Sequence, residues 1–322
     1  MKKVLAVLLA LSMVFAFAAC GGSGDTDTNK VYKIGVCQWV QHDALDQATQ
    51  GFKDALVAEL GEENVEFLDQ NASNDAGACT NIISGFVSNN VDLILANATP
   101  ALQTAVAATT TIPVLGTSVT EYGVALEIDD FSGTVGGNVS GTSDLAPLTQ
   151  QAEMIMELVP DAKTVGLLYC SAEANSLYQV KVVKEYLEDK GLTAKEYPFS
   201  DANDIAAVTT AAANDSDVIY IPTDNSAASS TGIIDGICRP AKVPVVAGEA
   251  GICSGCGIAT LSISYYKLGE TTGKMAAQIL KGEADISTMA IQYDEDVVKK
   301  YNKDICDELG ITVPEDYVAL DA

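Results

Sequence analysis

From about residue 31 onward, short apolar runs alternate with amphipathic stretches in a steady rhythm. The first run, 31–40, reads as a strand. The stretch that follows begins near Asp43 and places Leu45, Ala48, Phe52, Ala55, Leu56 and Leu60 on one face of a helix, with Gly61 as its stop. Further strands are predicted at 65–69, 91–96 and 112–116, joined by helices near 74–88 and 100–108. The pattern then repeats, with strands at 164–169, 193–197, 217–221 and 243–247, and helices near 175–190, 204–213 and 226–238. Pro244 opens the last of these strands, a position where proline is tolerated. Short Val/Ile/Leu-rich strands separated by helices predict parallel sheets covered on both faces.

Two successive βα runs imply an α/β protein with two Rossmann-like lobes. Residues 138–144 connect the lobes once, 259–263 a second time and 284–293 a third, giving three hinge crossings. The helix 265–281 then returns to the first lobe and 294–309 closes the second. The expected division is 31–140 plus 264–283 for the N-terminal lobe, and 141–263 plus 284–322 for the C-terminal lobe.

Upstream of this rhythm the chain has another character. Lys2 and Lys3 precede an apolar run from Val4 to Ala19, too short and wrongly flanked for a stable membrane span. Residues 1–19 read as an export signal. Phe17-Ala18-Ala19-Cys20 looks like a bacterial lipobox, which would make Cys20 the lipidated first residue of the mature chain, on a flexible tether at 20–30. Each buried acyl methylene contributes ~0.8 kcal/mol, so two or three chains would hold the protein on the extracytoplasmic face of the cell membrane.

About 300 residues remain after such a cut, more than one core usually serves. A formal net charge of −26 argues against nucleic acid and anionic membrane surfaces as partners. A single histidine, His42, excludes any site needing several imidazoles. No cofactor or metal is expected. Besides Cys20 there are Cys37, Cys79, Cys170, Cys238, Cys253, Cys256 and Cys306. Cys37 and Cys170 sit in apolar strand-like runs and read as small buried hydrophobes. Cys253-Ser254-Gly255-Cys256 is the one CxxC. It falls in a glycine-rich stretch that reads as a loop, which favours loop thiols or a local disulfide over a redox or zinc function.

In an open parallel sheet, ligands bind beyond the carboxyl ends of the strands. In the first lobe those ends deliver Gln38, Trp39, His42, Asn71, Thr99, Thr117 and Ser118. In the second they deliver Asn175, Ser176, Thr223, Asp224, Asn225 and Glu249, and Asp144 lies at the first crossing. These side chains are polar, small and mostly neutral. There is no serine–histidine–acid order, no phosphate-binding glycine loop and no metal cluster, so the mouth reads as a binding site for a small polar molecule and not as an enzyme. Structural roles compete at several positions. Asn71, Asn175 and Asp43 could cap helices, Trp39 could pack in the core, and Asp224 stands between a strand end and a helix start.

Several segments carry a family resemblance in their order and spacing. They are Lys33-Ile34-Gly35-Val36, His42-Asp43-Ala44-Leu45-Asp46, Gln70-Asn71-Ala72, Asn97-Ala98-Thr99-Pro100, Gly141-Thr142-Ser143-Asp144 and Ser171-Ala172-Glu173-Ala174-Asn175-Ser176. Tyr220-Ile221-Pro222-Thr223-Asp224-Asn225 and Tyr265-Tyr266-Lys267-Leu268-Gly269 with Gly273-Lys274-Met275-Ala276-Ala277 are the most distinctive. From about 33 to 293 the chain resembles the substrate-binding lipoproteins of ABC importers for tryptophan and tyrosine, of the type I periplasmic-binding-protein fold. It departs from that pattern at 232–241 and 253–256. The resemblance implies a cleft that closes on a free aromatic amino acid and hands it to an ABC permease and its ATPase subunits. Asn71, Thr99, Thr117 and Ser118 would then hold the carboxylate, Asp224 or Glu249 would face the ammonium group, and Trp39 would stack on the ring. The same fold binding a sugar, nucleoside or other metabolite, and a surface sensor or adhesin, are the alternatives.

Overall fold

The computed structural model describes residues 30–294 and 296–320; the expected export signal, Cys20 and the tether lie outside the described residues. The first sheet is built from β1 (Tyr32–Gln38), β2 (Val65–Asn71), β3 (Leu93–Asn97), β4 (Val114–Val119), β5 (Val139–Ser143) and β11 (Gln292–Tyr293), in the order β11-β5-β4-β3-β1-β2. All its pairings are parallel. Its strands are apolar on both faces because both are covered. Ile34, Val36, Leu93 and Leu95 pack toward the helices Asp43–Leu60 (α1) and Tyr265–Leu280 (α11). Cys37, Ile94 and Ala96 point the other way, into a cluster with helices Ala76–Ser88 (α2) and Thr99–Ala108 (α3).

The second sheet repeats the plan with β6 (Thr164–Cys170), β7 (Thr193–Phe199), β8 (Val218–Ile221), β9 (Val245–Ala247), β10 (Ala259–Ser262), β12 (Val298–Tyr301) and β13 (Val318–Ala319), in the order β13-β12-β10-β9-β8-β6-β7. Helices Leu148–Leu158 (α5) and Ala174–Asp189 (α6) cover one face; Ile205–Asp215 (α7) and Thr231–Ala241 (α9) lie with the cluster on the other. One pairing differs from the all-parallel expectation, since β10 and β12 run antiparallel. β12 arrives from the other lobe rather than through a crossover helix, so nothing forces it parallel.

The chain crosses between lobes at 144–147, at 263–264 and again between β11 and β12. β5 remains in the first sheet as far as Ser143, and β11 pairs with it there, so the first and third crossings come later than the hydrophobic pattern suggests. The expected helix 226–238 is two helices, Asn225–Ala228 (α8) and Thr231–Ala241 (α9). Cys253 and Cys256 correct a further expectation. They lie on a short helix, Ala250–Cys256 (α10), not in a loop, and form no local disulfide; both are free and buried. Glu249 caps that helix by accepting from Gly251 N and Ile252 N at 2.5 Å each, a signal the glycine-rich composition hid. No helix among the described residues is long and apolar enough to cross a membrane.

Candidate functional site

Where the carboxyl ends of the two sheets face each other, a narrow cavity lies between the lobes. The first lobe contributes His42 and Leu45 from the start of α1, and Ser118 and Thr120 from the end of β4. Asp144 and Tyr265 enter from two of the crossings. Asn175, Thr223, Asp224, Asn225, Ala228 and Glu249 complete the wall from the second lobe.

Ser118 reaches the cavity through a local irregularity. The pairing of β4 with β5 slips between Gly116 and Val119, and Ser118 sits at φ 54°. A bulge of this kind re-aims a side chain and is held only where surrounding structure over-determines it.

The second-lobe wall is an acidic network. Glu173 sits behind the cavity and accepts from Asn225 N (3.1 Å), Asn225 Nδ2 (2.6 Å), Ser226 N (2.9 Å) and Ser226 Oγ (2.8 Å), fixing the start of α8. Asp224 Oδ2 accepts from Cys170 N and Ser176 Oγ at 2.7 Å each, while Oδ1 caps α8 through Ala227 N at 2.8 Å. Asp144 Oδ2 accepts from the Tyr265 hydroxyl at 2.9 Å. All four carboxylates are buried. Burial, reinforced by the Glu173 charge, pushes Asp224 up to about 7. Burial likewise pushes Glu249 up to about 7 and raises Asp144. Among the described residues no lysine or arginine lines the cavity to offset them.

Three buried acceptors in this cavity lack a partner. Asp144 Oδ1 is one and Asn175 Oδ1 another. The Asn175 amide orientation is fixed because its Nδ2 donates to Thr223 O (3.0 Å) and Glu173 Oε2 (3.3 Å). The third follows from a tautomer. Asn225 Nδ2 is committed to Glu173, so Asn225 Oδ1 faces His42 Nε2 at 3.4 Å, and that nitrogen carries the hydrogen. Burial lowers the His42 pKa, the ring is neutral, and its buried Nδ1 is left as an acceptor without a donor. Ser118 Oγ is also unpartnered. Each such atom carries a desolvation cost of about 1–3 kcal/mol, so together they call for a ligand rich in N–H donors.

The structure brings together His42, Ser118, Asp144, Asn175, Thr223, Asp224, Asn225 and Glu249 from the strand-end set. The others lie elsewhere. Trp39 packs in the first-lobe cluster and is no platform in this cavity. Gln38 is held by Asp46 Oδ1 (2.6 Å), Val40 O (2.9 Å) and Thr49 Oγ1 (2.7 Å), binding β1 to α1. Asn71 is exposed and accepts from Ser73 N. Thr117 bonds Thr142 Oγ1, Thr99 is buried at the start of α3, and Ser176 supports Asp224 from behind. A strand-end position does not say where a side chain points, and these residues are held by contacts outside the cavity. Leu45, Thr120, Ala228 and Tyr265 line the cavity without having been singled out as site residues. Tyr265 opens α11 just after the second crossing.

Residues 33–321 match the family model described as ABC transporter substrate binding protein, and the chain belongs to that family. The chain is similar to the tyrosine-binding protein of Clostridioides difficile, 33% identical with 93% of this chain and 90% of that one covered. It is also similar to the solved ABC domain from Streptococcus pneumonia in complex with L-Trp, at 34% identity and TM-score 0.85, covering 89% of this chain and 97% of that one. A substrate-binding protein with adhesive properties from Clostridium difficile, in its ligand-free, open structure, is 36% identical over 91% of this chain and all of that one, yet has a TM-score of only 0.68. Near-equal identity with unequal superposition places the lobes closer to the arrangement of the complex than to the open form. The fold is that of the type I periplasmic-binding proteins.

Proposed function

We propose that this chain is the extracytoplasmic receptor of an ABC importer and closes its cleft on a free aromatic amino acid, tyrosine, tryptophan or phenylalanine, gripping it first by the ammonium group. The observation that carries the reading is the set of buried acceptors without donors, Asp144 Oδ1, Asn175 Oδ1 and His42 Nδ1, in a cavity whose charged walls are carboxylates. An ammonium group offers three N–H donors and the compensating charge. Leu45, Ala228 and Tyr265 supply apolar surface for the side chain. Burying an aromatic ring removes ~150–250 Å² from water, worth about 4–6 kcal/mol at ~25 cal/mol per Å². Micromolar affinity needs about 8 kcal/mol, and two or three charge-assisted hydrogen bonds cover the difference after ordering costs. Ser118 and Thr120 are the neutral hydroxyls left to meet the carboxylate.

Calorimetry on the mature domain tests this. At least one of the three amino acids should bind with micromolar affinity or better, while its deaminated carboxylic acid should not bind measurably. Silence toward all three amino acids sinks the reading. Anchoring through Cys20 and delivery to a permease belong to the same proposal. An acylated N-terminal peptide in the membrane fraction, lost in Cys20→Ser, checks the anchor. An adhesive role is a second reading, motivated by the Clostridium difficile relative's adhesive properties. Surface-binding assays with and without ligand would separate it from transport.

A further inference from the structure

Two of the seven described cysteines face each other. Cys37 lies next to the end of β1 and Cys79 in the first turn of α2, and their sulfurs are 3.7 Å apart across 42 residues of chain. Both are fully buried in the first-lobe cluster. Other cysteines are aimed differently: Cys170, Cys253, Cys256 and Cys306 each direct their sulfur at a backbone carbonyl, 3.3–3.7 Å away. At 3.7 Å the Cys37 and Cys79 sulfurs are in van der Waals contact, and a bond between them requires closing that gap to ~2.05 Å. The thiols also polarise one another. The Cys37 hydrogen bond draws Cys79 down to about 7 and leaves Cys37 well above the ordinary thiol value. Substrate-binding proteins of this family work outside the cytoplasm, where disulfides form and persist.

We propose that Cys37 and Cys79 are joined by a disulfide in the exported protein. The oxidant is another disulfide, either a small-molecule one such as oxidised glutathione or the active-site pair of a thiol oxidoreductase. One of the two protein thiolates attacks an oxidant sulfur, forming a mixed disulfide and releasing the first thiol. The other protein thiolate then attacks the cysteine sulfur of that mixed disulfide and displaces the second. The two cysteines lose two protons and two electrons; the oxidant gains both. Because neither sulfur is accessible in the folded lobe, the exchange takes place before α2 docks on β1. The bond would staple the very segment that reaches across the cleft. Gln38 O accepts from Ala72 N and Trp39 O from Asn74 N at 2.9 Å each, and Asn74 Nδ2 donates to Ser226 Oγ of the other lobe at 3.1 Å.

The test uses the full chain produced in an exporting host, unfolded directly into denaturant that holds excess alkylating agent and no reductant, so that free thiols are blocked as they become exposed. The expected result is a mass lighter by two hydrogens than the reduced protein, and a cross-linked peptide pair containing Cys37 and Cys79 that separates on reduction. Reductant should lower Tm by about 5–10 °C, and the Cys37→Ser/Cys79→Ser double variant should start at the lower value and ignore reductant. Complete alkylation of all seven thiols without reduction overturns the proposal, as does a peptide map joining only other cysteines. Should the double variant fail to fold, the map of the unmodified chain still decides.

Discussion

At the scale of single residues, the cleft distinguishes carboxylates that hold the wall from the one that is free to hold a ligand. Asp224 and Glu249 have both oxygens engaged by backbone or hydroxyl donors, whereas Asp144 keeps Oδ1 unpartnered. Asp144→Asn preserves an acceptor for the Tyr265 hydroxyl, removes the charge and turns the unpartnered acceptor into an N–H donor. We expect it to fold normally and to weaken amino-acid binding by ~30-fold or more, equivalent to about 2 kcal/mol. Asn71→Ala, at an exposed position outside the cavity, should leave affinity unchanged; calorimetry on the pair distinguishes the two positions. The acids also set a pH dependence. Asp224 and Glu249 are raised by burial to about 7, from ordinary values of 3.8 and 4.5. Across that window the folded protein keeps protons that the unfolded chain gives up. The stabilisation is complete below the ordinary values and is lost as pH rises through about 7. The ligand-free Tm should therefore fall between about pH 5 and about pH 8, less steeply in Glu249→Gln. A flat profile would mean that these carboxyls are not desolvated.

At the scale of elements, the closest packing in the molecule joins two helices more than 200 residues apart in sequence. α1 and α11 meet backbone to backbone. A β-carbon on Gly51 would lie 2.1 Å from Tyr266 O, and one on Gly269 would lie 2.0 Å from Ala48 O. Neither helix can yield without lifting Phe52 or Leu268 from the core. Gly269→Ala should cost about 1–3 kcal/mol, with a Tm several degrees lower. Gly85→Ala, in the interior of α2 with open space around it, should stabilise by about 0.5–1 kcal/mol; opposite signs in thermal melts confirm the contrast. This pairing explains why Gly269 and Gly273 stood out as a motif, but no local pattern reveals which helix a glycine approaches. The strands and long helices were legible because their apolar periodicity is imposed by burial on both faces of each sheet. The CxxC helix was not, since Ala250-Gly251-Ile252-Cys253 carries no helical signal beyond the Glu249 cap. For the site, the strand ends of the second lobe bring Asn175, Thr223, Asp224, Asn225 and Glu249 to the cavity wall. The strand-end rule misplaced Gln38, Trp39 and Thr117, whose side chains turn into the first lobe.

At the scale of the whole molecule, the question is what holds the lobes together. Among the described residues, two side-chain hydrogen bonds reach directly across the cleft, His42 to Asn225 at 3.4 Å and Asn74 to Ser226 at 3.1 Å. Each is worth only about 0.5–1.5 kcal/mol. Against them stands the crowding of Asp144, Glu173, Asp224 and Glu249 in a desolvated space without a lysine or arginine among its described lining residues. Under the proposed function a bound ammonium group would change that balance, by touching both walls and neutralising the charge, so that the ligand's differential affinity for the closed form would drive closure. Small-angle scattering should therefore report a larger radius of gyration without ligand than with it. Asn74 gives the sharper test, since it bridges the lobes without lining the cavity. Asn74→Ala should shift the ligand-free ensemble further open and weaken affinity by up to ~10-fold, the equivalent of one cross-cleft hydrogen bond, through faster dissociation with little change in association rate. An unchanged dissociation rate would mean that the rim contact contributes nothing to holding the lobes shut, leaving the ligand alone to do so.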